Sequence, residues 1–400
     1  MLIRFEVSNF RSILDPVELS MVAVDHDRSG VRWIENIGES LLPVAAIYGP
    51  NASGKSNVIA ALTWLSSAVR NSLRVWEDKI PTEPFAFGGA PDRVSSFTVE
   101  SIIDEVRYEY VLELDQTHVY YEALFHYPEK KRRRILERDG RELKLQRGLG
   151  NLSGTRDLLT PRSLALSIAR RFDEPVVSAF ADDLMAMWLL NTRQLRMVRP
   201  FPMDPSAYLF SRNFAETEAD AKQTRAEALA LLRMADLGID DVVVDDRANI
   251  SMLHRTSDGT ASLRYDQESA GTRTWFELIH PILTALKSGQ VALFDELDAK
   301  LHPILSMHLV RLFTDSTTNP HGAQLIFTAH DTSLLNHLNR DEVWLTEKID
   351  GVTRLGALAE FAGERVRKSQ NLEKAYLNGR FGALPDVDRL EFLRVLGLVG

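Results

Sequence analysis

The residues best suited to chemistry lie at 49–56, which read Gly-Pro-Asn-Ala-Ser-Gly-Lys-Ser and are named the phosphate loop here. Glycines at the first and sixth positions let a backbone bend tightly enough for its N–H groups to surround an anion. Lys55 can reach the β- and γ-phosphates of a nucleotide, and the Ser56 hydroxyl can bind magnesium. The residues predicted to contact the nucleotide are Gly49, Asn51, Ala52, Ser53, Gly54, Lys55, Ser56 and Asn57.

An acid pair, Asp295 and Glu296, directly follows the short apolar run Val291–Phe294. A buried strand would place both carboxylates at its carboxyl end. We predict that Asp295 binds magnesium and that Glu296 polarises the attacking water as a general base. The alternative is that the two acids only solvate a strand end, and the phosphate loop upstream favours the catalytic interpretation.

Two further segments could reach a phosphate. His330 follows the next apolar run, residues 325–328, and is predicted to contact a γ-phosphate as a sensor, although a structural role is the alternative. Ser269 and Gly271 precede a helical pattern over residues 275–286, and a Ser-x-Gly turn at a helix N-terminus can bind phosphate. Interpreted locally, Ser269 could simply cap this helix.

The elements that would position these residues follow from hydrophobic periodicity. The apolar run Val44–Tyr48 predicts a buried parallel strand that ends at the phosphate loop. After Lys55, apolar residues recur every three or four positions as far as Leu73, which predicts an amphipathic helix. A chance match to the loop motif would lack this order of strand, loop and helix.

The middle of the chain changes character twice. Residues 96–147 have an antiparallel β pattern, with a hairpin signal at Asp139-Gly140. Residues 157–237 change to helical spacing, where Thr160 followed by Pro161 predicts a helix start and residues 215–237 form another helical stretch. The β pattern then returns and leads to the acid pair.

Composition limits the class of protein. The chain has 400 residues, of which 44% are hydrophobic and 26% charged, and it contains no cysteine. Disulfides, thiol catalysis and Cys-ligated metal sites are therefore excluded. The net charge of −9 argues against nucleic-acid binding by the whole surface, though not against a local basic groove. Because no signal-peptide core or membrane-length apolar run is found, we expect a cytoplasmic protein without a membrane partner.

Together these segments resemble the ABC-type ATPase head shared by SMC, RecF and OLD-like proteins. In chain order they are similar to its Walker A motif, signature loop, Walker B motif and switch histidine, and Asp298 is similar to its D-loop aspartate. The resemblance implies an α/β P-loop NTPase fold, an ABC-type head with an antiparallel β subdomain and a helical insertion. It implies a head formed by residues 1–115 and 250–346, a hairpin and helical insertion over 116–249, and a packed C-terminal tail over 347–400.

The resemblance also implies ATP as the nucleotide, Mg²⁺ as the metal, and ATP hydrolysis by a head-to-tail dimer or a higher homo-oligomer. Ser269 and Gly271 of one subunit would then meet the γ-phosphate bound at Lys55 of another. The signature loop reads Ser-Ala-Gly-Thr-Arg where the family has Leu-Ser-Gly-Gly-Gln, and no Q-loop glutamine is identified in residues 70–110. Individual contacts at these two positions stay open.

Three more segments, residues 84–87, 296–303 and 371–382, are similar to bacterial AAA family ATPases linked to abortive infection, such as OLD-like, Septu-like and PARIS-like ATPases. This resemblance implies an ATPase or sensor component of an anti-phage defence complex that controls a separate effector protein. A RecF- or SMC-like DNA-binding ATPase in DNA repair or processing is the alternative. The basic run at 130–134 is either a DNA contact or a solvated hairpin edge.

Overall fold

A computed structural model describes residues 1–26, 28, 30–190, 209–210, 218–235, 238–245, 247, 249–361 and 371–379. Within these residues the central sheet has six strands, in the order β11-β15-β16-β5-β17-β18. They are β5 (Val44–Tyr48), β11 (Trp188–Leu189), β15 (Val291–Phe294), β16 (Gln324–Thr328), β17 (Val343–Ile349) and β18 (Val352–Ala357). Neighbouring strands are parallel except in the β17–β18 hairpin. The carboxyl ends of β5, β15 and β16 therefore share one edge, where ligands bind in open α/β sheets.

The central sheet is buried on both faces. Ala45 and Ile47 of β5 belong to one hydrophobic cluster with Val58 of helix α1 (Lys55–Val75), while Val44, Ala46 and Tyr48 belong to a second cluster with helix α5 (Ala270–Ser288). Side chains of a strand point alternately to its two faces, so one strand serves both cores. This explains why β5 is a continuous apolar run in the sequence.

A second, antiparallel sheet covers the α1 face. Its order is β10-β9-β8-β7-β6-β1-β2. The strands are β1 (Leu2–Ser8), β2 (Val17–Ser20), β6 (Ser95–Ile103), β7 (Val106–Leu114), β8 (Val119–His126), β9 (Arg133–Asp139) and β10 (Glu142–Leu145). The predicted antiparallel block is confirmed, and so is the predicted hairpin, since Asp139 pairs with Glu142 around the turn.

Smaller elements complete the described structure. The other α-helices are α2 (Ala165–Ala169), α3 (Pro175–Met185), α4 (Glu218–Ala235), α6 (Leu297–Lys300), α7 (Pro303–Thr314), α8 (Leu358–Phe361) and α9 (Leu372–Leu377). The smaller sheets contain β3 (Arg32–Ile34) with β4 (Glu39–Leu41), and β12 (Ile239–Val244), β13 (Ile250–Thr256) and β14 (Gly259–Arg264). Helices α2, α3 and α4 confirm the predicted helical character within 157–237, part of which lies outside the described residues. Over the described ranges, each helix is too short or too polar to cross a bilayer.

The predicted helix start at Thr160-Pro161 is wrong, because α2 begins at Ala165. Thr160 N instead donates to Ser163 Oγ at 2.9 Å, and Ser163 N donates to Thr160 Oγ1 at 3.0 Å, which closes a local turn. The first two amides of α2 donate to the buried carboxylate of Glu122 on β8, at 2.6 and 2.8 Å. A strand distant in sequence therefore caps this helix, and no local pattern could reveal that.

The division of the chain into head, insertion and tail stays a prediction. Strand pairing crosses all three boundaries of this division, including the one after residue 249, where β12 pairs with β13. The boundary after residue 115 separates β7 from β8, which pair with each other, and the boundary after residue 346 lies inside β17. Residues 347–357, assigned to the tail, thus complete the central sheet.

Candidate nucleotide site

The phosphate loop connects the end of β5 to the start of α1, as predicted. Its backbone has positive φ angles at Gly49 (151°), Ala52 (64°) and Gly54 (105°), which turn the chain sharply. Asn51 and Ala52 are exposed. Because α1 begins at Lys55, its free N-terminal amides and partial positive charge belong to this loop, which suits the binding of phosphate.

Two glycines of the phosphate loop lie directly against the β17–β18 hairpin. A Cβ added to Gly54 would overlap the Thr353 hydroxyl, and a Cβ added to Gly49 would overlap the Thr346 hydroxyl. These glycines are therefore needed for packing behind the loop as well as for its sharp turns. The sequence motif alone predicts only their role on the phosphate side.

The threonine pair, Thr346 and Thr353, stabilises the loop backbone from behind. Thr353 Oγ1 donates to Ser53 O at 2.8 Å, and Thr346 Oγ1 donates to Tyr48 O at 3.1 Å. Since the single hydroxyl proton of Thr346 is used in this way, the Ser53 hydroxyl 2.5 Å away must donate to it. All three hydroxyl side chains are buried, so these bonds form away from competing water.

The same hydrogen-bond network extends to the turn after β1. Ser12 Oγ lies 2.7 Å from Thr353 Oγ1, and Asn57 Nδ2 donates to Ser12 Oγ at 2.6 Å. The side chains of Ser53 and Asn57, both predicted to contact the nucleotide, are thus bonded within the protein. Their predicted nucleotide contacts stay predictions, and the structure gives both side chains a supporting role.

Lys55 lies back over its own loop, where its Nζ donates to Gly49 O at 2.8 Å and to Pro50 O at 3.1 Å. Burial lowers the pKa of the Lys55 ammonium group. Three carboxylates raise this pKa through their negative charge, and they belong to Asp298, Asp295 and Glu296. The lysine of the phosphate loop and the predicted acids therefore share one electrostatic environment.

The acid pair is fixed by Thr328 at the end of β16, the strand that separates β15 from β5. Thr328 Oγ1 donates to Asp295 Oδ1 at 2.7 Å and accepts from Glu296 N at 2.7 Å. Glu296 has a left-handed backbone (φ 57°) and an exposed side chain, so its carboxylate can contact water. Thr328 was not predicted from the sequence, although its place at the end of the strand before His330 is a usable signal.

Asp298 and His330 are brought together through the backbone. The Asp298 carboxylate accepts from His330 N at 3.0 Å and from Asp331 N at 2.8 Å. The His330 side chain is exposed, so the backbone that Asp298 binds determines where the imidazole can lie. On the other side of this turn, the Tyr48 hydroxyl donates to Asp331 O at 3.2 Å.

Ser269 caps α5, as its local interpretation predicts. Its Oγ accepts from Thr272 N at 3.0 Å, and Ser269 and Gly271 are both exposed. The buried Glu268 before them pairs with His254 on β13 at 2.7 Å, which fixes the start of the loop. The predicted contact of Ser269 and Gly271 with a nucleotide on another subunit stays a prediction.

The available oxygen atoms fit magnesium with a nucleotide. Ser56 at the start of α1 and Asp295 at the end of β15 offer a hydroxyl and a carboxylate, which are ligands that Mg²⁺ prefers. In the part of the chain that the structure describes, no group of three or more His, Cys, Asp or Glu side chains could hold a metal. Magnesium with a nucleotide needs no such group, because phosphates and waters complete its octahedron.

Comparison with protein families gives the class of this chain. Residues 44–336 match the family described as "AAA domain, putative AbiEii toxin, Type IV TA system". The match covers most of the chain and includes the phosphate loop, the acid pair and His330. The chain belongs to this family. No curated protein matches the chain significantly.

Similar solved structures include SMC heads. The SMC head domain from Thermotoga maritima aligns at 15% identity with a TM-score of 0.43, over 89% of this chain and 98% of that one. An SMC head bound to the C-winged helix domain of ScpA aligns at 13% identity with a TM-score of 0.46, over 89% and 97%. The Smc head domain from Pyrococcus furiosus, bound to the C-terminal domain of ScpA, aligns at 12% identity with a TM-score of 0.46, over 90% of this chain and 97% of that one. Because these TM-scores lie below 0.5, the assignment of the fold depends on the sheet topology and the family match. The predicted α/β fold with an antiparallel sheet is confirmed.

Proposed function

We propose that this chain is a magnesium-dependent switch that binds and hydrolyses ATP. The observation that carries the proposal is that the phosphate loop, at the end of β5, and the acid pair, at the end of β15, lie at the same carboxyl edge of the central sheet, with β16 between them. A phosphate loop supplies positive charge and amides, and the strands beside it supply acids for metal and water. Membership of an AAA domain family supports the same function.

Each side chain has one role in this proposal. Lys55 and the amides of the phosphate loop bind the β- and γ-phosphates. Ser56 and Asp295 bind magnesium, which supplies positive charge against the phosphates. Glu296 accepts a proton from the attacking water, and His330 contacts the γ-phosphate. The backbone contact between Asp298 and His330 supports this arrangement.

Nucleotide binding by the purified chain tests the proposal first. We expect the wild type to bind and hydrolyse ATP with magnesium, and Lys55→Ala to lose about 100-fold in affinity, because hydrogen bonds from a charged amine contribute up to about 3 kcal/mol. Lys79→Ala removes an exposed lysine after α1 and should bind normally. Titration calorimetry measures both. Wild type that binds no nucleotide, or Lys55→Ala that binds it normally, would refute the proposal.

Hydrolysis tests the acid pair separately from binding. Glu296→Gln keeps the shape of the side chain but cannot accept a proton, so we expect ATP to stay bound while turnover falls by about 100-fold or more. Phosphate release and retained nucleotide measure the two effects. Unchanged turnover would remove Glu296 from the role of general base.

The proposed working form is a head-to-tail dimer or a higher homo-oligomer. Ser269 and Gly271 are exposed at the N-terminus of α5, which supports a contact with the γ-phosphate bound at Lys55 of another subunit. A nucleotide bound by two subunits stabilises the closed assembly by its higher affinity for that state. Hydrolysis removes this contact, so the output of the switch is a change of assembly.

The finer proposal is that the chain is the ATPase or sensor of a bacterial anti-phage defence complex and controls a separate effector. The resemblance to abortive-infection ATPases supports it, as does the family description, which names an AbiEii toxin and a type IV TA system. We expect expression with the neighbouring genes to lower phage plaquing by a factor that Lys55→Ala abolishes. Equal plaquing with and without the genes, across a broad phage panel, would contradict this role.

The basic run at 130–134 gives little support to the alternative role in DNA binding. Arg132 pairs with Glu109 at 3.3 Å, and Arg134 pairs with Glu137 at 2.8 Å. These glutamates neutralise positive charge that would otherwise attract the phosphate backbone of DNA. Measurement of ATP turnover with and without duplex DNA separates the two functions, since marked stimulation by DNA would favour the alternative.

A further inference from the structure

Residues 371–379, named the tail segment here, contact the candidate site from outside the central sheet. The resemblance to abortive-infection ATPases includes this segment but implies no role for it. The remaining residues of the similar stretch, 380–382, lie outside the described residues. The tail segment forms α9, which Asn371 caps by accepting from Lys374 N at 2.7 Å. Helix α9 packs on a short 3-10 helix, Thr332–His337, which begins two residues after His330.

Apolar contacts attach the tail segment to two strand ends of the site. Leu372 and Tyr376 are buried in the same hydrophobic cluster as Leu334 and Leu335 of the 3-10 helix. The Tyr376 ring also meets the Tyr48 ring edge-on, with 6.2 Å between centroids. Tyr48 is the last residue of β5, so the tail segment contacts both the residue that precedes the phosphate loop and the 3-10 helix that follows the His330 turn.

One carboxylate adds directed bonds to this packing. Glu373 Oε1 accepts from Thr332 Oγ1 at 3.2 Å, and Glu373 Oε2 accepts from Asn336 Nδ2 at 2.7 Å. The two donors lie near opposite ends of the 3-10 helix, so Glu373 ties that helix to α9 at both ends. A bond at Thr332 also restrains the adjoining residues, because two peptide units separate Thr332 from His330.

The His330 turn is therefore bound from three directions. Asp298 binds the amides of His330 and Asp331, Tyr48 binds the carbonyl of Asp331, and Glu373 binds the next residue, Thr332. A single hydrogen bond contributes only modestly to stability, so none of these alone fixes the turn. Asp298 and Tyr48 belong to the sheet and its connections, whereas Glu373 belongs to a separate C-terminal segment.

We propose that Glu373 is a positioning residue for His330, and that docking of the tail segment keeps the His330 turn in its working place. This inference rests on the proposed function, because the γ-phosphate contact of His330 is itself proposed. Loss of the Glu373 bonds removes the restraint that the tail segment adds to the hydrogen bonds that Asp298 and Tyr48 make with the turn. Hydrolysis is therefore sensitive to the attachment of a segment that touches no phosphate.

Kinetics of matched variants test the inference. A misplacement of about 1 Å can cost on the order of 100-fold in rate, so we expect loss of one restraint in Glu373→Ala to lower kcat about tenfold, with KM within about twofold. Thr332→Val should also lower kcat, whereas Thr332→Ser, which keeps the hydroxyl donor, should have the kcat of the wild type. Lys374→Ala changes an exposed residue of the same helix and should match the wild type. Unchanged kcat in Glu373→Ala, or equal losses in Thr332→Val and Thr332→Ser, would overturn the inference.

A second measurement does not depend on hydrolysis. Hydrogen exchange of residues 330–337 reports the opening of the turn itself. We expect faster exchange there in Glu373→Ala and Thr332→Val, wild-type exchange in Thr332→Ser and Lys374→Ala, and no change in the peptides of α1. Unchanged exchange in Glu373→Ala refutes the positioning role even if ATP is hydrolysed. A wild type that fails to hydrolyse ATP refutes the proposed function instead.

Discussion

A single hydroxyl group, that of Thr353, joins the phosphate loop to the turn after β1. It donates to Ser53 O and accepts from Ser12 Oγ. Thr353→Val keeps the shape of the side chain but leaves both groups without this partner, at a cost of about 1–3 kcal/mol. We expect ATP affinity to fall about tenfold, whereas Thr353→Ser should bind nearly as the wild type does. Titration calorimetry of the two variants decides, and equal affinities would contradict a supporting role of the hydroxyl.

Gly54 should tolerate no side chain. Its φ of 105° is unfavourable for L-residues, and an added Cβ would overlap Thr353 Oγ1. We expect Gly54→Ala to abolish nucleotide binding and to lower the free energy of unfolding by about 2 kcal/mol or more. Gly88→Ala is the matched control, because Gly88 also has a positive φ (62°) but nothing lies within 4 Å of its added Cβ. It should cost about 1 kcal/mol in urea unfolding and leave ATP binding unchanged.

Single residues also show what a sequence reveals about a site. Lys55 and Asp295 stand in motifs whose spacing reflects the ligand they would bind, so they were predictable. Thr328, Thr346 and Thr353 act on backbone atoms of distant segments, and threonine is an ordinary residue in any strand. Only the order of strands in the sheet, which the sequence does not give, brings Thr346 and Thr353 behind the loop and Thr328 beside the acid pair.

At the scale of elements, the spacing of hydrophobic residues and the position of turn residues predicted most of the strands and helices that flank the site. The helix start at Thr160 failed because the amides of α2 are capped by Glu122, which lies in a strand distant in sequence. Strand β18 was assigned to a polar tail because alternation along an edge strand resembles an irregular segment. In both cases a tertiary contact, and no local preference, decides the structure.

The buried carboxylate of Glu122 should be critical for the attachment of α2 to the antiparallel sheet. It accepts from two amides of α2 and from the Tyr110 hydroxyl, beside the buried guanidinium of Arg138. In Glu122→Gln the side-chain NH₂ group would face one of the groups that donate to the carboxylate, and Arg138 would lose its opposing charge. We therefore expect a loss of about 3 kcal/mol in the free energy of unfolding. Glu142→Gln, on an exposed side chain of β10, should cost less than about 0.5 kcal/mol. Urea unfolding measures both, and equal costs would exclude the capping role.

At the scale of the whole molecule, the order of the motifs predicted an α/β P-loop fold, and both cores follow from it. The sequence did not reveal that β16 lies between the strands of the phosphate loop and the acid pair. That placement puts Thr328 and His330 between Lys55 and the acids. It also places Lys55 and Glu296 at one edge of the sheet of a single chain, so both belong to the same half of the proposed site.

The proposed assembly makes a quantitative prediction for mixed subunits. In a head-to-tail dimer, each site combines Lys55 and Glu296 of one subunit with Ser269 of the other. Lys55→Ala and Ser269→Arg should each be inactive alone. Their heterodimer contains one intact site of two, and random mixing makes half of the dimers heterodimers, so about one quarter of wild-type turnover should return.

The matched control mixes Lys55→Ala with Glu296→Gln. Both changes act on the same half of a site, since the strands that precede the two residues end at one edge of the sheet of a single chain. Each site of that heterodimer carries one of the two changes, and no turnover should return. Recovery in the first mixture alone would support a site shared between subunits. Recovery in neither mixture, with all three variants folded and associated, would show that Ser269 acts within its own chain, where it caps α5.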